Sequence, residues 1–174
     1  MAPLTRRTWA RRGCTPQLLQ RGRHREKVSL AAALWLSSEA EPAGLSYRSI
    51  ADGHFNNVAV AAFLDDLVLQ TRRPVTVVWD NGNMHRGEPI RQVLARHGGR
   101  LHLERLPPYA PTLNPVEHLW SWLKYGRLCN FAPEKLETLH RAIQRELRNA
   151  QRSGRRLESL WTACDLSPRR TLLI

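Results

Sequence analysis

The sequence predicts an α/β domain, a mixed sheet with helices on its faces, and three observations carry that prediction. A continuous apolar run at Val28–Leu36 and a second strand-like stretch at Leu45–Ile50 flank turn residues, so a hairpin opens the sheet. Two short strands, Val75–Trp79 and Leu101–Arg105, then alternate with stretches of helical periodicity. From Asn114 onward the pattern is helical throughout. A hairpin followed by alternating helices and strands buries its apolar faces best as helices layered on a mixed sheet.

Each element has its own signal. Residues 1–27 hold Arg6, Arg7, Arg11, Arg12, Arg21, Arg23, Arg25 and Lys27 against one acid, Glu26, and Gly13, Pro16 and Gly22 break any regular pattern. They read as a loop-rich basic arm. Trp35 closes the first apolar run, read as a buried strand, and Ser37–Gly44 is turn material with Pro42. Between Phe55 and Gln70, Val60, Phe63, Leu64, Leu67 and Val68 recur at helical spacing. Val75–Trp79 is nearly all apolar and β-branched, as a strand covered on both faces would be. Asn81-Gly82-Asn83 makes a turn into a helix near Arg86–His97, which Gly98-Gly99 stops. After Leu101–Arg105, Pro107-Pro108 end the strand.

Asn114 caps a helix that starts at Pro115, where the missing N–H costs nothing, and runs to about Gly126. A last long helix, Pro133–Arg152, turns Leu136, Leu139, Ile143 and Leu147 inward. Arg141, Arg145, Arg148 and Arg152 stripe another face, either as a track for a phosphate backbone or as a solvated surface. The expected division is a basic arm at 1–27, a core at 28–130 and a helical extension at 131–174.

Length and composition bound the rest. A chain of 174 residues, 42% apolar and with six tryptophans, fills one domain core. Its net charge of +12 suits a polyanion such as nucleic acid, although a solvated basic surface or an arginine-biased genome would give the same total. Cys14, Cys129 and Cys164 form no CxxC pair, which argues against a disulfide framework and a zinc site. No apolar run reaches the ~18 residues of a membrane span, and the arginines near the start precede no signal-peptide core, so a cytoplasmic protein without a membrane partner is expected.

Two carboxylates stand out as catalytic and metal-ligating candidates. Asp80 closes the Val75–Trp79 strand, and in open α/β sheets ligands gather at the carboxyl ends of strands. Glu117 lies in the first turn of the helix after Asn114, sharing a polar face with Ser121 and Lys124. Acids from two elements can hold Mg2+, which takes one or two protein carboxylates and completes its shell with water and phosphate. Each acid also has a plain structural reading. Asp80 before Asn81-Gly82 fits turn chemistry, and Asn114-Pro115-Val116-Glu117 fits a capping box.

The wording around both acids tips the balance. Val77-Val78-Trp79-Asp80-Asn81-Gly82-Asn83-Met84-His85-Arg86-Gly87 and Leu106-Pro107-Pro108-Tyr109-Ala110-Pro111-Thr112-Leu113-Asn114-Pro115-Val116-Glu117-His118-Leu119-Trp120 resemble the second and third acidic motifs of mariner-type transposases of bacterial insertion sequences. Arg7-Thr8-Trp9-Ala10-Arg11-Arg12-Gly13-Cys14-Thr15-Pro16 resembles the segment after the first acidic motif, so the resemblance runs from about Arg7 to Asn130. It implies a ribonuclease H-like fold, an Asp-Asp-Glu triad with Asp80 second and Glu117 third, and Mg2+ or Mn2+ as cofactor. It also implies DNA cleavage and strand transfer, with transposon ends and target DNA as partners.

His85 matches the motif histidine, for which a helix-entry or packing role is expected, and Trp120 and Trp122 are expected in the core. In that family the first acid sits on a central first strand upstream of the Arg7 segment, with a helix-turn-helix region beyond it. The expectation is therefore a truncated fragment without that strand, inactive alone, whose two ions would be held only in a complete site. An upstream-encoded segment is a candidate partner, and a homodimer stays open. The alternative is a non-catalytic basic DNA-binding protein.

Overall fold

The computed structural model describes residues 4–17, 27–36, 43–71 and 73–165. Much of the expected basic arm, most of the Ser37–Gly44 turn and the last nine residues lie outside the described residues. The elements run β1 (Val28–Trp35), β2 (Gly44–Ala51), α1 (Asn57–Thr71), β3 (Val75–Trp79), α2 (Glu88–His97), β4 (Leu101–Arg105), α3 (Pro115–Ser121), α4 (Leu136–Gln151) and α5 (Gly154–Thr162). Short 3-10 turns at Asn83–His85 and Pro111–Leu113 lead toward α2 and α3. A π-helical turn, Trp122–Arg127, continues α3.

The hairpin forms as expected: β1 and β2 pair antiparallel from Val28 with Ala51 to Trp35 with Gly44. β3 and β4 pair parallel, Val75 with Leu101 through Trp79 with Arg105, joined by the α2 crossover. The two pairs are separate two-stranded sheets, not one continuous mixed sheet, because no ladder joins β1 to β3 among the described residues.

Helices hold the sheets in register. On β1 successive side chains point to opposite faces. Val28, Leu30, Ala32 and Leu34 pack on a cluster built from α3, α4 and α5, including Leu119, Ile143, Leu147 and Leu157. Ala31 and Ala33 pack on a second cluster, where Phe63, Leu64 and Val68 of α1 meet Val93 of α2 and Trp79 and Leu101 of the parallel pair. Both sheets therefore rest on the same α1 layer.

Several expectations shift. Val75–Trp79 is covered on one face only, so Thr76 and Val78 are exposed while Trp79 is buried. β1 is half-buried along its length, not fully buried, since β2 is its one neighbouring strand among the described residues. α2 begins at Glu88 instead of Arg86, because Gly87 takes a φ of 106°, outside the helical region. α4 begins at Leu136 because Lys135 before it is extended. Helix α5 lies in the expected helical extension but beyond the last helix read from the sequence; Ser153 caps it by accepting from the Arg156 N–H, and Leu157 and Leu160 repeat at helical spacing.

Of the arm, residues 4–17 are irregular and mostly exposed, with Trp9 fully so. Its start is fastened to the loop after the π turn. The Arg6 N–H donates to Asn130 Oδ1 at 2.8 Å, Asn130 Nδ2 donates back to the Arg6 carbonyl at 3.1 Å, and the Asn130 N–H donates to the Leu4 carbonyl.

Candidate active site

Asp80 follows the last residue of β3, where two bonds fasten the strand end to β4. The Leu106 N–H donates to the Trp79 carbonyl, and Asn81 Nδ2 donates to the Leu106 carbonyl, each at 2.8 Å. The chain then turns back on Asp80, whose Oδ1 accepts the Gly82 N–H at 2.8 Å. The turn reading of Asp80 is therefore met, and it uses one oxygen while Oδ2 has no partner among the described residues. A Cβ on Gly82 would lie 2.9 Å from Asp80 Oδ1 and 3.2 Å from the His85 ring, so this turn has no room for a side chain there.

His85 sits behind the acid, stacked on Trp79 with ring centroids 4.4 Å apart. Its Nε2 lies 3.0 Å from Asp80 Oδ1. Burial lowers the imidazole pKa below its ordinary value, Asp80 pulls it upward by charge and hydrogen bonding, and Arg105 adds to the lowering. Burial wins, so His85 is mainly neutral at neutral pH. The contact is a hydrogen bond from imidazole to carboxylate instead of an ion pair, and it orients Asp80 as a packing histidine would.

Glu117 is carried by the first turn of α3. Asn114 Oδ1 caps that helix by accepting the Val116 N–H at 3.1 Å. The reciprocal half of a capping box is not made: the Asn114 N–H donates to the Pro111 carbonyl at 3.0 Å. The Glu117 carboxylate is exposed and has no hydrogen-bond partner among the described residues. Behind it Leu119 and Leu123 are fully buried, and Trp120 and Trp122 pack on the same core, as expected.

Asp80 and Glu117 line one cavity of ≈ 370 Å³, walled by Asn81, Pro107, Pro108 and Asn114. Both also border a larger adjoining cavity of ≈ 830 Å³. Among the described residues no three His, Cys, Asp or Glu side chains are grouped to hold a metal ion. Carboxylates of this kind are hard oxygen ligands of the type Mg2+ takes. Sequence reasoning missed Asn81 as the tie between strand ends and Trp161 of α5 in the wall of the larger cavity. Asn81 had been absorbed into turn chemistry.

Arg141, Arg145, Arg148 and Arg152 lie at the far side of the sequence from these acids, and all four are exposed on or just after α4. Arg145 also binds inward, to the buried Glu146, which Arg127 holds from the other side at 2.7 Å. Among the described residues no helix is long and apolar enough to cross a membrane.

The fold matches solved transposase structures. A Mos1 transposase paired-end complex with left transposon end superposes with a TM-score of 0.63 at 16% identity, over 97% of this chain and 48% of that one. A Mos1 mariner paired-end complex with Mn gives 0.62 at 17% identity, over 97% and 49%. The catalytic domain of Mos1 mariner transposase gives 0.56 at 16% identity, over 82% and 77%. The expected ribonuclease H-like architecture is the one these domains share, and the chain spans about half the length of the complexed Mos1 chains. A sequence search of curated proteins finds no match. The family model described as DDE superfamily endonuclease matches residues 2–156, which include both motif acids. On that match and the shared fold, the chain belongs to the DDE superfamily endonucleases.

Proposed function

We propose that this chain is the catalytic-domain part of a transposase that cuts and joins DNA with a divalent metal, Asp80 and Glu117 being two of its metal-ligating acids. One observation carries the reading: two exposed carboxylates, from the end of β3 and the start of α3, line a single cavity. Family membership and the Mos1 fold support it. Mos1 has been solved with Mn and with transposon ends, and DNA ends, target DNA and Mg2+ or Mn2+ are the corresponding partners and cofactor proposed here.

Asp80 Oδ2 and the Glu117 carboxylate would hold the metal. When bound, it would polarise a phosphodiester and lower the pKa of an attacking water or 3′-hydroxyl. The protein's part is positional. Gly82 and His85 hold Asp80 Oδ1, and the Asn114 cap and the buried Leu119 fix the helix turn that presents Glu117. Two carboxylates bind one ion weakly, and two ions would need the further acid that the triad resemblance places on another strand. The chain alone is therefore proposed to be inactive, and a cytoplasmic enzyme once completed.

The test fuses an apolar strand bearing an Asp ahead of Met1 and assays nicking of duplex DNA with Mg2+ or Mn2+. Nicking is expected, and Asp80→Asn or Glu117→Gln should each lower it by more than about 100-fold, beyond the loss from disturbing a metal's outer partners. Full activity in Glu117→Gln would overturn the metal role of Glu117. A second reading, a non-catalytic DNA-binding protein, is favoured by the exposed Arg141, Arg145 and Arg148 of α4 and Arg152 just after it. A folded fusion that binds DNA, ignores metal and never nicks would leave that reading standing.

A further inference from the structure

Among the described residues, the non-glycine positions with a left-handed backbone are Asp52, Asn130 and Tyr109. Asp and Asn enter that region readily, because a short polar side chain can bond to the nearby main chain. A tyrosine has no such help. At φ 59° Tyr109 stands where glycine would be the least strained choice. Its ring makes no compensating contact: it is 103% exposed, so no described residue packs on it.

The loop around it is firmly held. Leu106 at its start is buried and is bonded to the end of β3 through Trp79 and Asn81. Just beyond, the Leu113 N–H donates to the Ala110 carbonyl and the Asn114 N–H to the Pro111 carbonyl. Pro107, Pro108 and Pro111 fix their own φ angles. A rigid loop thus carries a strained aromatic ring with no support from its own chain, a combination that collects at ligand-binding sites. The location selects the ligand. Tyr109 lines the ≈ 370 Å³ cavity that it shares with Asp80 and Glu117. Its neighbours on that wall, Pro107, Pro108, Ala110 and Pro111, are apolar, and the charges of the lining are the two acids. With no cation there to meet a phosphate, the ring suits a flat, uncharged π face.

We propose that Tyr109 is a substrate-binding residue that stacks on an unpaired nucleobase next to the phosphate held at the two acids. Bases inside a duplex hide both faces in the stack, so a ring on a rigid loop reaches a base that has left the helix. Stacking on that base offsets the cost of the exposed ring and the left-handed backbone. The substrate class narrows accordingly to DNA opened at the cut, in preference to fully paired duplex. The inference rests on DNA being the substrate of this cavity, and not on the metal role of Asp80 and Glu117.

The test titrates the full chain into a duplex carrying one unpaired fluorescent adenine analogue, whose emission falls on stacking, and into the same duplex fully paired. Both are measured with Mg2+ and again with a chelator. Wild type should prefer the opened DNA and quench the analogue. Tyr109→Gly removes the ring and takes the φ of 59° without strain. It should bind the opened DNA at least about fivefold more weakly, the loss expected for one stacked base, and should not quench. Its affinity for paired DNA should be unchanged, and its urea midpoint equal to wild type or higher. Tyr109→Phe should match wild type within about twofold, because the π face is kept. Equal weakening on both DNAs would overturn the proposal. So would a loss in Tyr109→Phe as large as in Tyr109→Gly, which would assign the effect to the hydroxyl. A lower urea midpoint in Tyr109→Gly would also overturn it, by placing the ring against the chain's own undescribed residues. If neither DNA binds, the DNA reading itself fails, whereas DNA that binds with no Tyr109 effect removes this inference alone. A Tyr109 effect that persists with the chelator upholds it even where the metal reading is lost.

Discussion

The two halves of the molecule solve the same packing problem to different degrees. Around α3, α4 and α5, buried leucines from three helices close on one face of the hairpin, and Leu119, Leu147 and Leu157 are almost completely enclosed. The β3–β4 pair has α1 and α2 on one face, while on the other Val78 remains 44% exposed. Both acids stand on the border between the closed half and the open one. A rigid core thus positions Glu117 from α3, while Asp80 hangs from a strand with one ladder partner among the described residues.

The largest effect should come from breaking the closed half. Leu147→Ala removes a fully enclosed side chain and is expected to cost about 2–5 kcal/mol in urea unfolding, the usual range for a buried leucine that leaves a cavity. A cost near that of a surface substitution would mean the α3–α5 core is looser than its burial indicates.

A middle-sized effect tests a buried charge of that half. Glu146 is 3% exposed and accepts from both Arg127 and Arg145. Burial pushes its pKa up, but the hydrogen bonds and charges of the two arginines outweigh it, and the pKa lies below the ordinary 4.5. A carboxylate with a depressed folded-state pKa adds stability above its unfolded pKa and loses it as pH falls through the folded value. The stability gap between wild type and Glu146→Gln should thus be constant above 4.5 and shrink on acidification below it. Arg127→Ala, which leaves the acid with one partner, should cost about 1–3 kcal/mol at neutral pH. A gap that widened with acid would reverse the assignment.

The smallest effect belongs to the open half. Val78→Thr keeps a β-branched side chain on the uncovered face and should change stability by less than about 0.5 kcal/mol. A much larger loss would show that this face is covered in solution, and the contrast between the halves would then need redrawing.

Local sequence decided most elements and both motif acids. The hairpin, the α1 stripe from Val60 to Val68 and the cap at Asn114 are short-range patterns, set by side-chain period and by backbone groups a few residues apart. Even so, Gly87 and Lys135 moved two helix starts, because helix ends turn on single φ and ψ values that periodicity does not register. The dual readings of the acids needed three dimensions. Whether Glu117 capped its helix depended on where the Asn114 N–H went, and it went to Pro111. Whether Asp80 only served a turn depended on its surroundings, and it lines a cavity together with Glu117, 37 positions along the chain. The sequence by itself determined most of the strands and helices and singled out Asp80 and Glu117 as candidate acids. Only the tertiary structure decided that the described strands form two separate pairs, one antiparallel and one parallel, because strand pairing is a long-range match of backbone groups that side-chain patterns leave unspecified.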